Sequence, residues 1–216
     1  MIRVKICGIT NLEDAVVAAE AGADMLGFVF YPKSPRYITP ERAREIVLAT
    51  RHSSPDTLFS GVFVNESLAR VRAVMELAQL DFAQLHGDEP AEMVRALSPR
   101  AYKALRPRDA DEAKLLITNF RSSIISNSPG FLIDAFDAQQ FGGTGARGDW
   151  NIAAEIAREF PILLAGGLSA ENVADAIRAV APWGVDVSSG VERAPGLKDH
   201  AKVREFVKSV RLALID

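Results

Sequence analysis

The chain has 216 residues, 48% of them hydrophobic and 25% charged, with a formal net charge of -3. That is enough apolar material for one sizeable core, and acidic and basic residues are mixed along the chain, so no broad basic field points to nucleic acid or to anionic lipid. A small molecule is the partner this balance favours.

Short apolar runs, often β-branched, alternate with longer segments whose apolar residues recur at helical spacing. The first predicted strand is 4–7, followed by Asn11 as N-cap of a helix that stops at Ala21-Gly22, with glycine as the C-cap signal. A second strand, 24–30, leads through a proline-rich loop to Thr39-Pro40-Glu41, a capping residue before proline at the first helical position. Strand 59–64 precedes a helix start at Asn65-Glu66, and strands 81–86 and 100–105 follow. Between 121 and 130 the stretch RSSIISNSPG reads as an irregular insert ahead of strand 131–134. Strand 161–165 precedes a helix start at Ser169-Ala170-Glu171, strand 185–188 is the eighth, and a closing helix covers 199–214.

Alternation of this kind predicts an α/β fold with a parallel sheet. Eight units in 216 residues leave about 27 residues each, close to the minimum for a strand, a helix and two short loops. Eight parallel strands could also lie in an open doubly wound sheet. A strand-first start, a helix-last end and the absence of a long crossover favour a closed (β/α)8 TIM barrel, a single domain over 1–216. The insert at 121–130 then falls at the bottom of the barrel, away from chemistry. Apolar runs such as 26–31 and 161–167 are far shorter than the roughly 20 residues of a membrane-spanning helix. Cys7 is the only cysteine and MIRVKICGIT has no secretory-signal layout, so the expectation is a soluble cytoplasmic protein, monomer or homodimer.

In such a barrel the active site lies where the strands end. The turns AGGL and SSGVE, carrying Gly166-Gly167 and Ser188-Ser189-Gly190, follow strands seven and eight and leave backbone N–H groups open to an anion such as phosphate. Cys7 closes strand one before Gly8; it is either a small buried hydrophobe or, facing the mouth, a base or nucleophile. Asp134 ends the apolar run Phe131-Leu132-Ile133, where a carboxylate needs a partner or a task. Arg36 sits among Pro32, Pro35 and Pro40, as a solvated loop residue or as a two-point grip on a carboxylate. His86 ends QLHG and reads as a hydrogen-bonding residue of the pocket wall; the scattered histidines and lone cysteine suggest no metal site. The glycine-rich FGGTGARGDW at 141–150 lacks the ending of a nucleotide loop, and reads as a loop closing over substrate or a flexible linker.

Taken together, KICGIT at 5–10, GFVFYPKSPRYI at 27–38, GVFVN at 61–65, QLHGDE at 84–89, GGTG at 142–145, LAGGL at 164–168 and DVSSGVE at 186–192 resemble phosphoribosylanthranilate isomerase over nearly the whole chain. The resemblance implies an Amadori rearrangement of N-(5-phosphoribosyl)anthranilate to 1-(2-carboxyphenylamino)-1-deoxyribulose 5-phosphate in tryptophan biosynthesis, with no metal or organic cofactor. It places the base on Cys7, the acid on Asp134, the grip on the anthranilate carboxylate on Arg36, and the phosphate on Gly166-Gly167 and Ser188-Ser189-Gly190. Asp186 matches a pocket carboxylate assisting the substrate's hydroxyls or amine, and His86 is carried over as a binding residue. Two other readings stand beside it: a related sugar-phosphate isomerase, which would carry a carboxylate rather than Cys7 at the end of strand one, and a catalytically silent barrel that binds phosphorylated metabolites, which would need no paired acid and base.

Overall fold

Five residues, RVKIC, form β1 (Arg3–Cys7), and their alternation splits them between two environments. Val4 and Ile6 belong to the large apolar layer between strands and helices, whereas Cys7 packs with Val29 and Val62 in a separate inner cluster. The computed structural model describes residues 1–124, 129–134 and 150–213. Among them the same unit recurs: α1 (Leu12–Glu20), β2 (Met25–Val29), α2 (Pro40–Ser53), β3 (Leu58–Phe63), α3 (Leu68–Leu77), β4 (Phe82–Leu85), α4 (Ala91–Leu97), β5 (Ala101–Leu105), α5 (Ala110–Phe120), β6 (Phe131–Ile133), α6 (Trp150–Ala157), β7 (Ile162–Leu164), α7 (Val173–Val180), β8 (Gly184–Val187) and α8 (His200–Leu212). The strands β1 to β8 pair in chain order, all parallel, and β8 closes on β1 through Val4↔Val185 and Lys5↔Asp186. The barrel is the closed (β/α)8 fold expected from the alternation. No helix of the described residues is long and apolar enough to cross a membrane.

Several helix starts follow the local signals. Asn11 caps α1 by accepting the Asp14 N–H, Thr39 caps α2 with Pro40 in first position, and Asp199 caps α8. Gly22, just past α1, adopts φ +97°, a left-handed conformation that glycine takes without a Cβ penalty. Two predicted starts are corrected. The cap of α3 is Ser67, not Asn65, because Asn65 is held at φ 56° with its N–H donating to Glu89 and its side chain accepting from Asp88 N–H. The α7 helix begins at Val173, since Ser169 opens a preceding turn in which the Asn172 side chain accepts the Ser169 N–H and donates to the Gly167 carbonyl. The insert at 121–130 starts as a 3-10 turn, Arg121–Ser123, and its described end precedes the bottom of β6; 125–128 lie outside the described residues, as does Leu214 of the closing helix.

An unpredicted feature follows β8: a 3-10 turn (Ser189–Val191) and a small antiparallel hairpin, β9 (Glu192–Ala194) with β10 (Leu197–Lys198). Its turn is Pro195-Gly196, with Gly196 at φ +79°. The hairpin lies against the site. Gly196 N–H donates to Glu192 Oε1, and the Thr10 hydroxyl, from the loop after β1, donates to the Gly196 carbonyl.

Candidate active site

Because successive side chains of a strand point to opposite faces, residues two apart share one face. From β1 the inner face carries Lys5 and then Cys7; from β4 and its end, Gln84 and then His86; from β6, Leu132 and then Asp134; from β8, Asp186 and then Ser188. These rows meet at the C-terminal end of the barrel around a cavity open to solvent at its mouth. Its lining includes every residue singled out from the sequence: Cys7, Arg36, His86, Asp134, Gly166, Gly167, Asp186, Ser188, Ser189 and Gly190. Gln84, also in the lining, was not among them. Among the described residues no three His, Cys, Asp or Glu side chains gather as a metal-binding group.

Cys7 is 7% exposed, and the strand beside it makes room for its thiol. Gly27 is its β2 partner; a Cβ built there would lie 2.8 Å from Cys7 Sγ and 3.2 Å from Lys5 Nζ, so glycine keeps sulfur and ammonium neighbours. Lys5 is wholly buried and donates to Asp186 Oδ1 at 2.7 Å and to Gln84 Oε1 at 2.9 Å. Burial alone would lower the lysine, but the Asp186 carboxylate holds its ammonium above the ordinary value. For Cys7, burial pushes the thiol up, Asp186 adds to this, and Lys5 and Lys198 draw it back only in part. The resting group is therefore a thiol. Alkylation of this single cysteine by iodoacetamide, followed by mass spectrometry, should be slow at neutral pH and climb about tenfold per pH unit past the ordinary cysteine range. A rate that levels off below that range would show a thiol depressed rather than raised.

On the facing side, Asp134 follows the last residue of β6, and its N–H donates to the Leu105 carbonyl at 3.0 Å, which extends the β5–β6 register to the mouth. Its Oδ2 lies 3.5 Å from His86 Nε2, and His86 Nδ1 meets Gln84 Nε2 at 2.6 Å. Gln84 Oε1 also accepts from the Tyr102 hydroxyl at 3.1 Å, which in turn has Ser60 Oγ at 2.9 Å. Burial raises the Tyr102 phenol to about 12, so it stays a neutral donor.

Arg36 is held by a side chain that the sequence reading did not single out. Its Nε donates to Glu192 Oε1 at 2.9 Å and its Nη2 to Oε2 at 2.7 Å, a two-point fork on the first residue of β9. Glu192 also accepts from Lys198 Nζ at 2.9 Å, and Lys198 donates to the Cys7 carbonyl at 2.5 Å. Burial would raise the Glu192 carboxyl, yet Arg36 and Lys198 hold it below the usual carboxylate range. The hairpin thus fixes both Arg36 and the backbone of Cys7. Gly8, at φ +78°, completes the arrangement: a Cβ there would come within 2.7 Å of Arg36 Cδ and 3.0 Å of Ser188 Oγ.

The two glycine turns meet each other. Gly166 and Gly167 adopt φ 88° and 63°, the left-handed region where a side chain is strained. Gly190 passes over the Leu168 carbonyl so closely that a Cβ would collide with it. Ser188 Oγ, between them and Arg36, is buried with no hydrogen-bond partner among the described residues. The loop read as closing over substrate, 141–150, lies outside the described residues apart from Trp150, the first residue of α6.

A family model for N-(5'phosphoribosyl)anthranilate (PRA) isomerase matches residues 4–209. An N-(5'-phosphoribosyl)anthranilate isomerase of Pelobacter propionicus is 50% identical over 208 residues, 96% of this chain and 95% of its own. The crystal structure of phosphoribosyl anthranilate isomerase from Thermotoga maritima matches with a TM-score of 0.87 at 42% identity, covering 98% of this chain and 99% of that one. A crystal structure of phosphoribosyl anthranilate isomerase in complex with reduced 1-(o-carboxyphenylamino)-1-deoxyribulose 5-phosphate matches with a TM-score of 0.84 at 42% identity, with 98% and 99% coverage.

Proposed function

The chain belongs to the N-(5'-phosphoribosyl)anthranilate isomerase family, and from that membership we propose how its residues divide the work. The enzyme converts the aminoaldose N-(5'-phosphoribosyl)anthranilate to the aminoketose 1-(2-carboxyphenylamino)-1-deoxyribulose 5-phosphate, a step of tryptophan biosynthesis. Chain 1–216 acts as one barrel domain on a free phosphorylated metabolite in the cytoplasm. The observation that carries the assignment of roles is the placement of a thiol and a carboxyl, Cys7 and Asp134, in one cavity with two glycine turns.

The reaction needs one proton delivered and one removed. Asp134 in its protonated form gives a proton to the ribose ring oxygen, and the C1′–O bond breaks to leave a protonated Schiff base. Cys7 as thiolate then takes the C2′ proton, and the resulting enolamine tautomerises to the ketone. Because the thiol is raised, the reactive thiolate is a minority form but a strong base once formed, and the Lys5 ammonium beside it is the charge that favours it. The phosphate lies in the turns of Gly166-Gly167 and Ser188-Ser189-Gly190, where N–H groups and the Ser188 hydroxyl donate. Arg36, already oriented by Glu192, turns its remaining edge to the anthranilate carboxylate, and Asp186 and His86 face the sugar.

Turnover is read directly as the loss of fluorescence of the anthranilate adduct, and a purified chain without that activity would overturn the assignment. Gly167→Asp sets a carboxylate against the phosphate and should raise KM by at least ~10-fold. An unchanged KM in that variant would move the phosphate elsewhere.

A further inference from the structure

Beneath the mouth of the barrel a row of buried side chains leads to Asp134 without itself exchanging protons with the substrate. Asp186 accepts from Lys5, Lys5 donates to Gln84 Oε1 at 2.9 Å, Gln84 Nε2 meets His86 Nδ1 at 2.6 Å, and His86 Nε2 faces Asp134 Oδ2 at 3.5 Å. The direction of this row is fixed by Lys5. An ammonium has three donors and no acceptor, so the amide atom that meets Lys5 is the oxygen. The Tyr102 hydroxyl reaches the same oxygen. The other end of the amide is then NH₂, which only donates, and His86 Nδ1 must accept from it and so carries no proton. The proton of the imidazole is left on Nε2, aimed at Asp134.

We infer that Lys5 and Gln84 are positioning residues for the acid: they hold His86 in its Nε2–H tautomer, and that N–H fixes which oxygen of Asp134 carries the transferable proton. The inference rests on the reading of Asp134 as the acid. The carbonyl-type oxygen of a carboxylic acid is a better acceptor than its hydroxyl, so an N–H directed at Oδ2 makes that oxygen the carbonyl and favours the proton on Oδ1. The opposite tautomer would present a lone pair to Oδ2 and draw the carboxyl proton towards His86, away from the ring oxygen. His86 Nε2 has no hydrogen-bond partner among the described residues, and the 3.5 Å gap to Oδ2 is longer than a formed bond. A shift of about half an ångström closes it, as catalytic hydrogen bonds do when substrate binds. The same buried Lys5 neighbours Cys7, so a single cation orients the acid and favours the base.

The test reads the tautomer and the chemistry separately. Long-range ¹H–¹⁵N correlation spectra of the whole enzyme near neutral pH, with His86 assigned by its absence in His86→Asn, should show Nε2 protonated and Nδ1 bare. Gln84→Glu replaces the NH₂ by an acceptor and should move the proton to Nδ1 or protonate both nitrogens, with kcat lowered at least ~10-fold and KM within about threefold. Gln84→Met, which removes both partners at similar volume, should give a mixture of tautomers and an intermediate kcat, and it serves if Gln84→Glu does not fold. A wild-type His86 bearing its proton on Nδ1 overturns the inference. So does a variant whose tautomer changes while kcat does not. If Asp134→Asn keeps full kcat, the acid assignment fails on its own, with the wild-type tautomer measured independently.

Discussion

Cys7→Ser is expected to lower kcat by ~10²–10⁴-fold, the contribution typical of a positioned general base, while KM stays within several-fold. Serine is close to cysteine in size, but its hydroxyl is too weak an acid to ionise near neutral pH. The substitution therefore removes the base and little else. The backbone at residue 7 stays anchored by Lys198, and Lys5 keeps its pairing with Asp186, so no buried charge is left unpartnered. Folding should survive, as a thermal melt within a few degrees of the parent would confirm. Steady-state rates must be taken where chemistry limits turnover, since slow product release would hide the loss. A variant that kept more than about half the parent kcat under those conditions would reduce Cys7 to a core residue and remove the mechanism with it.

The order of strands and helices was legible because each unit announces itself locally: a short apolar run, a capping residue, a period of helical spacing. Where prediction and structure part, a contact distant in sequence decides. Asn65 and Ser67 are both good caps, and only the loop of Gly87 to Glu89, arriving from the next unit, recruits Asn65 and leaves the helix start to Ser67. At α7, Asn172 binds both ends of the turn opened by Ser169, which delays the helix. The hairpin after β8 had a local signal in Pro195-Gly196, but two short strands carry too little periodicity to be separated from a loop.

The mouth of the site was legible for a different reason: in a parallel barrel the residue that ends a strand stands at the cavity, whatever its type. Lys5, Gln84 and Tyr102 were not picked out, being polar residues inside otherwise apolar strands. Their signal lay in the period of two, since Lys5 and Gln84 sit one inward position below Cys7 and His86. Glu192 and Lys198 had no such signal. Their role depends on a hairpin folding back against Arg36 and the end of β1, which no local pattern in the chain encodes.

Asp134→Asn should also lower kcat by ~10²–10⁴-fold with KM within several-fold, because the amide keeps the shape of the side chain and has no carboxylic proton to give. Its oxygen can still accept from His86 Nε2–H, and its backbone N–H still donates to Leu105, so the end of β6 keeps its place. The double variant with Cys7→Ser separates this mechanism from its neighbours. Ring opening by Asp134 and removal of the C2′ proton by Cys7 are consecutive, so whichever step is slowed more sets the rate, and slowing the other adds little. The double variant should therefore turn over at close to the rate of the worse single variant, far above the product of the two separate losses. Rates that multiply would place both groups in one transition state, with the proton leaving C2′ as the ring opens, and ring opening would no longer precede proton removal as a separate step.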